Sequence, residues 1–307
     1  MTYNSDIIII GGGPAGLTSA IYALRAGKSV SIFDKYIFGG QTINTPEIEN
    51  FPAFKNISGT DFALSMIEQV TALGANMEYL EVLPLDLTST VKTVKANDKT
   101  YTAKSIIIAN GVKRRKLECI GEDKFTGRGV SYCATCDGAF YKNKTVIVCG
   151  SGNTAIEDAI YLSNICSKVL LIIRGDKIKA DFTLKDVATK KDNIEIIFNE
   201  TITSINGDTT VESITTKNTL DGTTKSYDTN GVFVAIGLIP NNEIFKEFIA
   251  LDEFGYIIAN ENCKTNIEGV FVAGDTRTKK LRQIVTASAD GAISAFNASE
   301  YIDKLKI

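Results

Sequence analysis

The feature that most restricts this chain is a glycine-spaced turn that occurs twice, each time between a short apolar run and a helical one. The first begins at Ser5 to Ile10, continues through Gly11-Gly12-Gly13-Pro14-Ala15-Gly16 and enters Leu17 to Ala26. The opening run is almost wholly apolar, which suits a short strand, and the later one suits a helix. Gly11, Gly13 and Gly16 have G-x-G-x-x-G spacing, which lets the backbone turn tightly and approach a pyrophosphate at the free N–H groups of a helix N-terminus. Lys28 to Asp34 returns as a second strand, and Asp34, eighteen residues past Gly16, stands where an acidic side chain meets a ribose hydroxyl. A tight strand-to-helix turn without a ligand is the plainer reading of the same glycines.

The pattern repeats with Val146 to Cys149 as a strand, Gly150-Ser151-Gly152-Asn153-Thr154-Ala155 as a turn, Ile156 to Asn164 as a helix and Lys168 to Ile173 as the next strand. Between the two units, Met77 to Val94 and Tyr101 to Ala109 read as strand-rich segments around the turn Asn97-Asp98-Lys99. The second unit ends at the buried-type strand 231–237, before the breaker that contains Pro240. Gly269 to Asp275 and a final helix, Ser288 to Lys304, follow. This arrangement predicts an α/β fold of two Rossmann-like, three-layer ββα dinucleotide-binding domains. The first domain is expected to be discontinuous, residues 1–113 and 243–307, with residues 114–242 inserted as the second. With no Pro-rich linker, the hinges must be short.

A formal net charge of -3 argues against a protein built to coat nucleic acid, which needs a concentrated positive face. No stretch reaches the ~20 apolar residues of a membrane-crossing helix, and the N-terminus lacks the charged start and cleavage site of a secretory signal. The chain is expected to stay in the cytoplasm, away from membranes. It contains no histidine and no tryptophan, so no imidazole base or ligand is available.

Six cysteines are scattered, with one close pair, Cys133-Ala-Thr-Cys136, followed at once by Asp137. That spacing does not suit a disulfide-stapled secreted framework. Zinc would need four ligands, and there is neither a second C-x-x-C nor a histidine, so no metal is expected. Two thiols with two residues between them can close a small disulfide ring, and a helix N-terminus or a nearby proton acceptor activates one of them for exchange. Asp137, if burial favours its protonated form, can protonate a leaving thiolate in place of the missing histidine. Alternatively it caps a helix. Cys119, Cys149, Cys166 and Cys263 read as packing residues.

Taken together, GGGPAGL (11–17), FGGQTINTPEIENFP (38–52), GRGVSYCATCDG (127–138), GSGNTAIEDA (150–159), VAIGLIPN (234–241), GVFVAGD (269–275) and RQIVTASADG (282–291) resemble the bacterial low-molecular-weight thioredoxin reductases, in order and along the whole chain. The resemblance implies an oxidoreductase and flavoprotein with FAD on the first domain. FAD would be held by Gly11, Gly13, Pro14, Ala15, Gly16, Gly40, Gln41, Asn50, Gly274, Asp275, Arg282, Gln283 and Ile284. On this reading Asp275, at a strand end, suits a ribityl hydroxyl, and the Arg282 to Ile284 backbone suits the flavin edge. The resemblance further implies a redox-active disulfide in which Cys136 faces the flavin and Cys133 attacks the disulfide of thioredoxin after the domains rotate. A homodimer is also implied. Asn110 departs from the Ser or Thr usual at its position.

The electron donor is less constrained. Family members that use NADPH carry H-R-R-x-x-x-R after the second domain's second strand, whereas this chain reads Ile173-Arg174-Gly175-Asp176-Lys177-Ile178-Lys179. A lost charge-assisted bond of roughly 1.5–3 kcal/mol weakens NADPH by about 10–100-fold, and Asp176 suits a phosphate poorly. Three readings follow: the ferredoxin-dependent flavin thioredoxin reductase branch, a switch to NADH, or a weak NADPH site using Arg174 and Lys179. The intact Gly150, Gly152 and Ala155 turn speaks against the first, although tight helix–strand packing also explains it. Lys113-Arg114-Arg115-Lys116 and the cluster Lys279, Lys280 and Arg282 could steer an acidic ferredoxin, or be solvated surface. A flavin redox sensor without turnover is a further alternative.

Overall fold

The computed structural model describes residues 4–45 and 47–305. The chain divides into two compact units, the first ending at Lys113 and resuming at Ile239, the second spanning Arg114–Leu238. The first unit opens with β1 (Ser5–Ile10), α1 (Pro14–Arg25), β2 (Val30–Phe33), α2 (Gly59–Ala72), β3 (Asn76–Glu78), β4 (Val82–Asp86), β5 (Lys92–Ala96) and β6 (Lys99–Ile108). The chain leaves it through β7 (Val112–Arg114). The second unit continues with α3 (Glu122–Phe125), β8 (Val130–Ser131), α4 (Ala134–Asp137), β9 (Thr145–Cys149), α5 (Asn153–Ser163), β10 (Lys168–Ile173), α6 (Phe182–Thr189) and β11 (Ile194–Phe198). It ends with β12 (Glu200–Asn206), β13 (Ser213–Asn218), β14 (Thr224–Asp228) and β15 (Gly231–Val234). After β16 (Leu238–Pro240), which pairs with β7, the first unit closes with β17 (Val270–Val272) and α7 (Ile284–Lys304).

The first unit's sheet has the order β3-β2-β1-β6-β5-β4. β1 lies parallel to β2 and β6, and it is almost wholly apolar because both of its faces are covered. Ile7 and Ile9 pack with Leu17 and Ala20 of α1 and Ala295 and Ile302 of α7, whereas Ile8 and Ile10 pack with Phe33, Val94, Phe245 and Ile257. β6 changes partner along one edge. Its first half pairs antiparallel with β5, and Ile106 to Ile108 pair parallel with β17. The ends of β1, β6 and β17 therefore come together at one place in the sheet.

The second unit repeats the device in a five-stranded sheet, β11-β10-β9-β15-β8, beside the antiparallel strands β12-β13-β14. Val146 and Val148 face Ala155, Ile156 and Leu162, while Ile147 and Cys149 face Phe125, Ile202 and Ile214. Cys149 is a core residue whose thiol burial pushes up to about 12, too high for thiolate chemistry.

The helices begin earlier than the apolar spacing predicts. α1 and α5 start at Pro14 and Asn153, inside the glycine turns, because the tail of each turn is already helical. α7 starts at Ile284 rather than Ser288, held by a reciprocal capping box between Gln283 and Thr286. Glutamine is a weaker N-cap signal in sequence than Ser, Thr, Asp or Asn. Among the described residues no helix is long and apolar enough to cross a membrane.

Candidate dinucleotide cradle and redox cysteine pair

In the first unit the glycine turn is built where only hydrogen fits. Gly11 has φ +110°, and a Cβ there would stand 2.2 Å from the Ala109 carbonyl oxygen; one on Gly16 would stand 1.9 Å from the Gly11 oxygen. Gly13 is the N-cap of α1 without a side-chain cap, and Pro14 at the first position has no N–H to satisfy. The next amides of the helix thus receive no side-chain cap from Gly13, the arrangement that anion binding at a helix N-terminus requires. Gly40 opens the short turn Gly40–Asn44 against this one, with a Cβ on Gly40 reaching 3.0 Å from Gly13 Cα.

Asp34 sits at the mouth. Its Oδ2 accepts the Gly12 N–H at 2.8 Å, and its Oδ1 accepts those of Tyr36 and Ile37 at 2.8 and 3.1 Å. Gln41 donates from Nε2 to the Val112 carbonyl at 2.8 Å. Asn50 donates from Nδ2 to Gln283 Oε1 at 3.1 Å, which joins two expected site residues 233 positions apart. Across the cradle, α7 crosses α1 where a Cβ on Gly291 would lie 2.3 Å from the Ala15 oxygen, and Gly274 abuts the Ala15 side chain. Asp275 is not on the strand end expected for it. β17 stops at Val272, and Asp275 lies in the single 3₁₀ turn Gly274–Thr276. Arg282 donates to the carbonyls of Asp275 and Arg277 at 3.2 and 3.3 Å, with its guanidinium 4.2 Å over the Tyr256 ring.

One cluster of the cradle was not read from the sequence. Asp290 of α7 accepts the Gly274 N–H at 3.0 Å, Arg277 Nε and Nη2 at 2.9 and 2.8 Å, and Lys279 Nζ at 2.7 Å. All three side chains are buried. Burial alone would raise the Asp290 carboxyl, but the Arg277 and Lys279 bonds outweigh it and hold it below its ordinary value. This corrects the reading of Lys279, Lys280 and Arg282 as a basic surface. Lys279 is inside, Arg282 is turned to backbone carbonyls, and Lys280 is the member left exposed. The available signal was an acid amid the small residues Ala287, Ser288, Ala289 and Gly291, a poor composition for a solvated face.

Among the described residues, the buried polar atoms Asn110 Oδ1 and Ser288 Oγ have no hydrogen-bond partner. Asn110 adjoins the Ala109 carbonyl that touches Gly11, and Ser288 follows Ala287, which lies beside Gly274. An unmet buried acceptor costs about 1–3 kcal/mol, so both fit a cradle completed by a polyhydroxylated, phosphate-bearing ligand such as FAD.

In the second unit Cys133 is the N-cap of α4 and is joined to Cys136 in a disulfide, with Cα atoms 5.3 Å apart. The amides of Cys136 and Asp137 both donate to the Cys133 carbonyl, at 3.2 and 3.1 Å. Asp137 makes no capping bond to the turn that follows it, so the capping alternative gives way. Its Oδ2 instead accepts the Ser131 hydroxyl at 2.5 Å, and Ser131 Oγ accepts the Cys133 N–H at 3.0 Å. Burial raises the Asp137 carboxyl against the opposing pull of Ser131 and Arg114. Tyr132 donates to the buried Glu122 at 2.8 Å, and the Arg114 guanidinium lies 5.4 Å over the Tyr132 ring. Burial pushes the thiols of Cys119 and Cys166 up to about 11 and that of Cys263 up to about 12, which leaves the 133/136 pair as the cysteines placed for exchange.

The second glycine turn keeps its shape. Gly150 has φ +147°, with a Cβ there only 2.3 Å from the Ala235 oxygen, and Gly152 is the N-cap of α5 without a side-chain cap. The loop after β10 folds back onto this turn. Lys179 N–H donates to the Ser151 carbonyl at 2.8 Å, and Asn153 and Asp181 exchange bonds of 2.8 and 2.9 Å. Arg174, Asp176, Lys177 and Lys179 are exposed, and a Cβ on Gly175 would meet nothing within 4 Å.

Residues 5–291 match the family model of the pyridine nucleotide-disulphide oxidoreductases. The chain is 42% identical over 302 residues to the thioredoxin reductase of Listeria innocua, covering 98% of this chain and 95% of that protein. With the thioredoxin reductase of Bacillus subtilis the identity is 39% over 302 residues, covering 98% and 96%. The crystal structure of thioredoxin reductase from Streptococcus pyogenes superposes with a TM-score of 0.94 at 38% identity, covering 98% of this chain and 99% of that one.

Proposed function

The chain belongs to the pyridine nucleotide-disulphide oxidoreductases and, among them, to the low-molecular-weight bacterial thioredoxin reductases, and from that premise we propose that it takes electrons from reduced ferredoxin and delivers them to thioredoxin. FAD bound in the first unit would supply the two-electron redox chemistry needed to reduce the Cys133–Cys136 disulfide. The residues that would hold it are Gly11, Gly13, Pro14, Ala15, Gly16 and Asp34 at the first turn, Gly40, Gln41 and Asn50 beside it, and Gly274, Asp275, Arg282, Gln283 and Ile284 across the cradle. The enzyme works as a cytoplasmic homodimer.

Once the pair is reduced, the Cys133 thiolate attacks one sulfur of the thioredoxin disulfide. That S–S bond breaks, a mixed disulfide forms, and the departing thiolate takes its proton from Asp137. Burial of Asp137 supports this role, because a carboxyl pushed upward carries a proton nearer neutral pH. Cys136 then attacks Cys133 Sγ and expels the second thioredoxin thiol, re-forming the disulfide. Two electrons and two protons reach thioredoxin, so two one-electron ferredoxins are consumed per turnover.

The observation that carries the choice of donor is Gly175. It stands where the family's NADPH-binding pattern has an arginine, a Cβ there would meet nothing within 4 Å, and Asp176 beside it is exposed, which supports a donor other than NADPH. The exposed run Lys113 to Lys116 offers an acidic ferredoxin a positive face. A second reading, NADH or weakly bound NADPH as donor, is favoured by the preserved Gly150 turn and the uncapped α5. Anaerobic stopped-flow mixing of the flavin-loaded protein with NADPH, NADH or reduced ferredoxin, followed by bleaching of the visible flavin band, separates them. Rapid bleaching by ferredoxin alone is expected, and rapid bleaching by either nucleotide overturns the ferredoxin assignment.

A further inference from the structure

Asp137 needs a means of holding its carboxyl near the cysteines and of ionising after the proton has gone. Burial supplies neither, since it only disfavours the charged form. Ser131, at the end of β8 and 5% exposed, donates its hydroxyl to this carboxylate at 2.5 Å. The same hydroxyl oxygen receives the peptide N–H of Cys133 at 3.0 Å. A serine hydroxyl has one proton to give, and the Cys133 carbonyl, at 3.4 Å, is the poorer acceptor for it. The bonds thus run one way, from the Cys133 amide to Ser131 and from Ser131 to Asp137.

From this chain of bonds we propose that Ser131 is a positioning residue for proton transfer, tying the acid Asp137 to the backbone of the attacking cysteine and easing its return to the charged form. The inference rests on the reading of Asp137 as the proton donor. Each time Asp137–H gives its proton to a departing thioredoxin thiolate, the Ser131 hydroxyl meets the carboxylate left behind. Between the two departures the proton is regained from the Cys136 thiol as that sulfur prepares to attack Cys133, and after the second departure it is regained from solvent when the disulfide is next reduced, so atoms and charge balance over the cycle. The charged and titratable groups facing Asp137 are few. Arg114 stabilises the carboxylate, Tyr141 in the turn after α4 feels its charge, and Cys166 faces Tyr141. From α5, Tyr161 lies over Gly138 beside the acid, and the two thiols of the reduced pair complete the set. Removing the Ser131 hydroxyl takes away its bond to the carboxylate and leaves the charge of Arg114 acting on it.

The test is the pH dependence of a single turnover, with the flavin-loaded protein pre-reduced by dithiothreitol, desalted and mixed with oxidised thioredoxin. General-acid assistance falls as pH rises through the acid's titration, which gives an alkaline limb that Asp137→Asn removes. Ser131→Ala withdraws a bond made to the charged form, so the limb is expected to move to higher pH by about one unit, a tenfold change in ionisation constant. Ser131→Thr, which keeps the hydroxyl, is expected to return it. Should the alanine protein fail to fold, Ser131→Gly carries the same comparison. A limb removed by Asp137→Asn but unmoved in Ser131→Ala, with the rate lowered equally at every pH, makes Ser131 merely structural and overturns this inference alone. A limb that survives Asp137→Asn removes the reading of Asp137, and this inference with it.

Discussion

Replacing Asp290 by asparagine tests whether the buried cluster behind Gly274 holds the cradle together. The substitution keeps the size of the side chain and removes the buried negative charge that Arg277 and Lys279 share, leaving Arg277 the exposed Glu261 at 3.8 Å; the two cationic side chains are 3% and 6% exposed. At an effective dielectric constant near 20, a unit pair at 2.8 Å gains about 6 kcal/mol before desolvation. The net cost of breaking a buried pair and stranding its partner is smaller, about 3–5 kcal/mol. The new amide would also point N–H groups at cations and weaken its hold on the Gly274 N–H. Urea unfolding followed by far-UV circular dichroism should show a loss in that range, and gel filtration should show a protein depleted of flavin. Because Asp290 is held below its ordinary value, its contribution is present above about pH 4 and fades as pH falls further, so the difference between the proteins should shrink in acid. Replacing Arg277, Lys279 and Asp290 together by apolar residues of similar size should recover much of the stability without restoring flavin content, since Gly274 would still lack its anchor. An Asp290→Asn protein within about 1 kcal/mol of the parent, with full flavin, refutes the argument.

Gly11→Ala sets a Cβ 2.2 Å from the Ala109 oxygen at a backbone angle suited to glycine, and should cost about 3 kcal/mol or more together with flavin binding, read by thermal melting and the absorbance ratio. Asp158, half-buried on α5, has its carboxyl pushed up to about 7 by burial and by Glu157. The folded state thus binds the proton more tightly than the unfolded chain, and stability falls as pH rises from about 4 to about 7. Asp158→Asn should therefore melt higher than the parent at pH 8, by about 1–2 kcal/mol given its partial exposure, and should match it near pH 4.

Much of the first unit's plan is carried by short-range pattern. An apolar run, glycines at fixed spacing and a helical run leave little besides a strand, a turn and a helix, and Gly11 and Gly16 occupy positions where a side chain would collide with the backbone. The adjacency of Cys133 and Cys136 is likewise local, since two cysteines three positions apart reach each other without help from the rest of the chain. Long-range partners left weaker traces. Nothing near Asn50 announces Gln283, and nothing near Ser131 announces that its hydroxyl is given to Asp137, because a serine before a cysteine is an ordinary loop composition. Lys279 shows the opposite error. A run of cations reads as surface until the fold supplies a buried carboxylate from another element.

What the sequence determined by itself is therefore the set of elements, the two glycine turns and the redox pair, each specified by residues within one turn or strand. Tertiary structure alone decided which polar groups are buried together: Asp290 with Arg277 and Lys279, Ser131 with Asp137, and Asn110 with Asn241 and Asn242. The physical reason is that backbone geometry is governed by near neighbours, while the cost of burying a polar or charged group depends on which partner the fold brings to it.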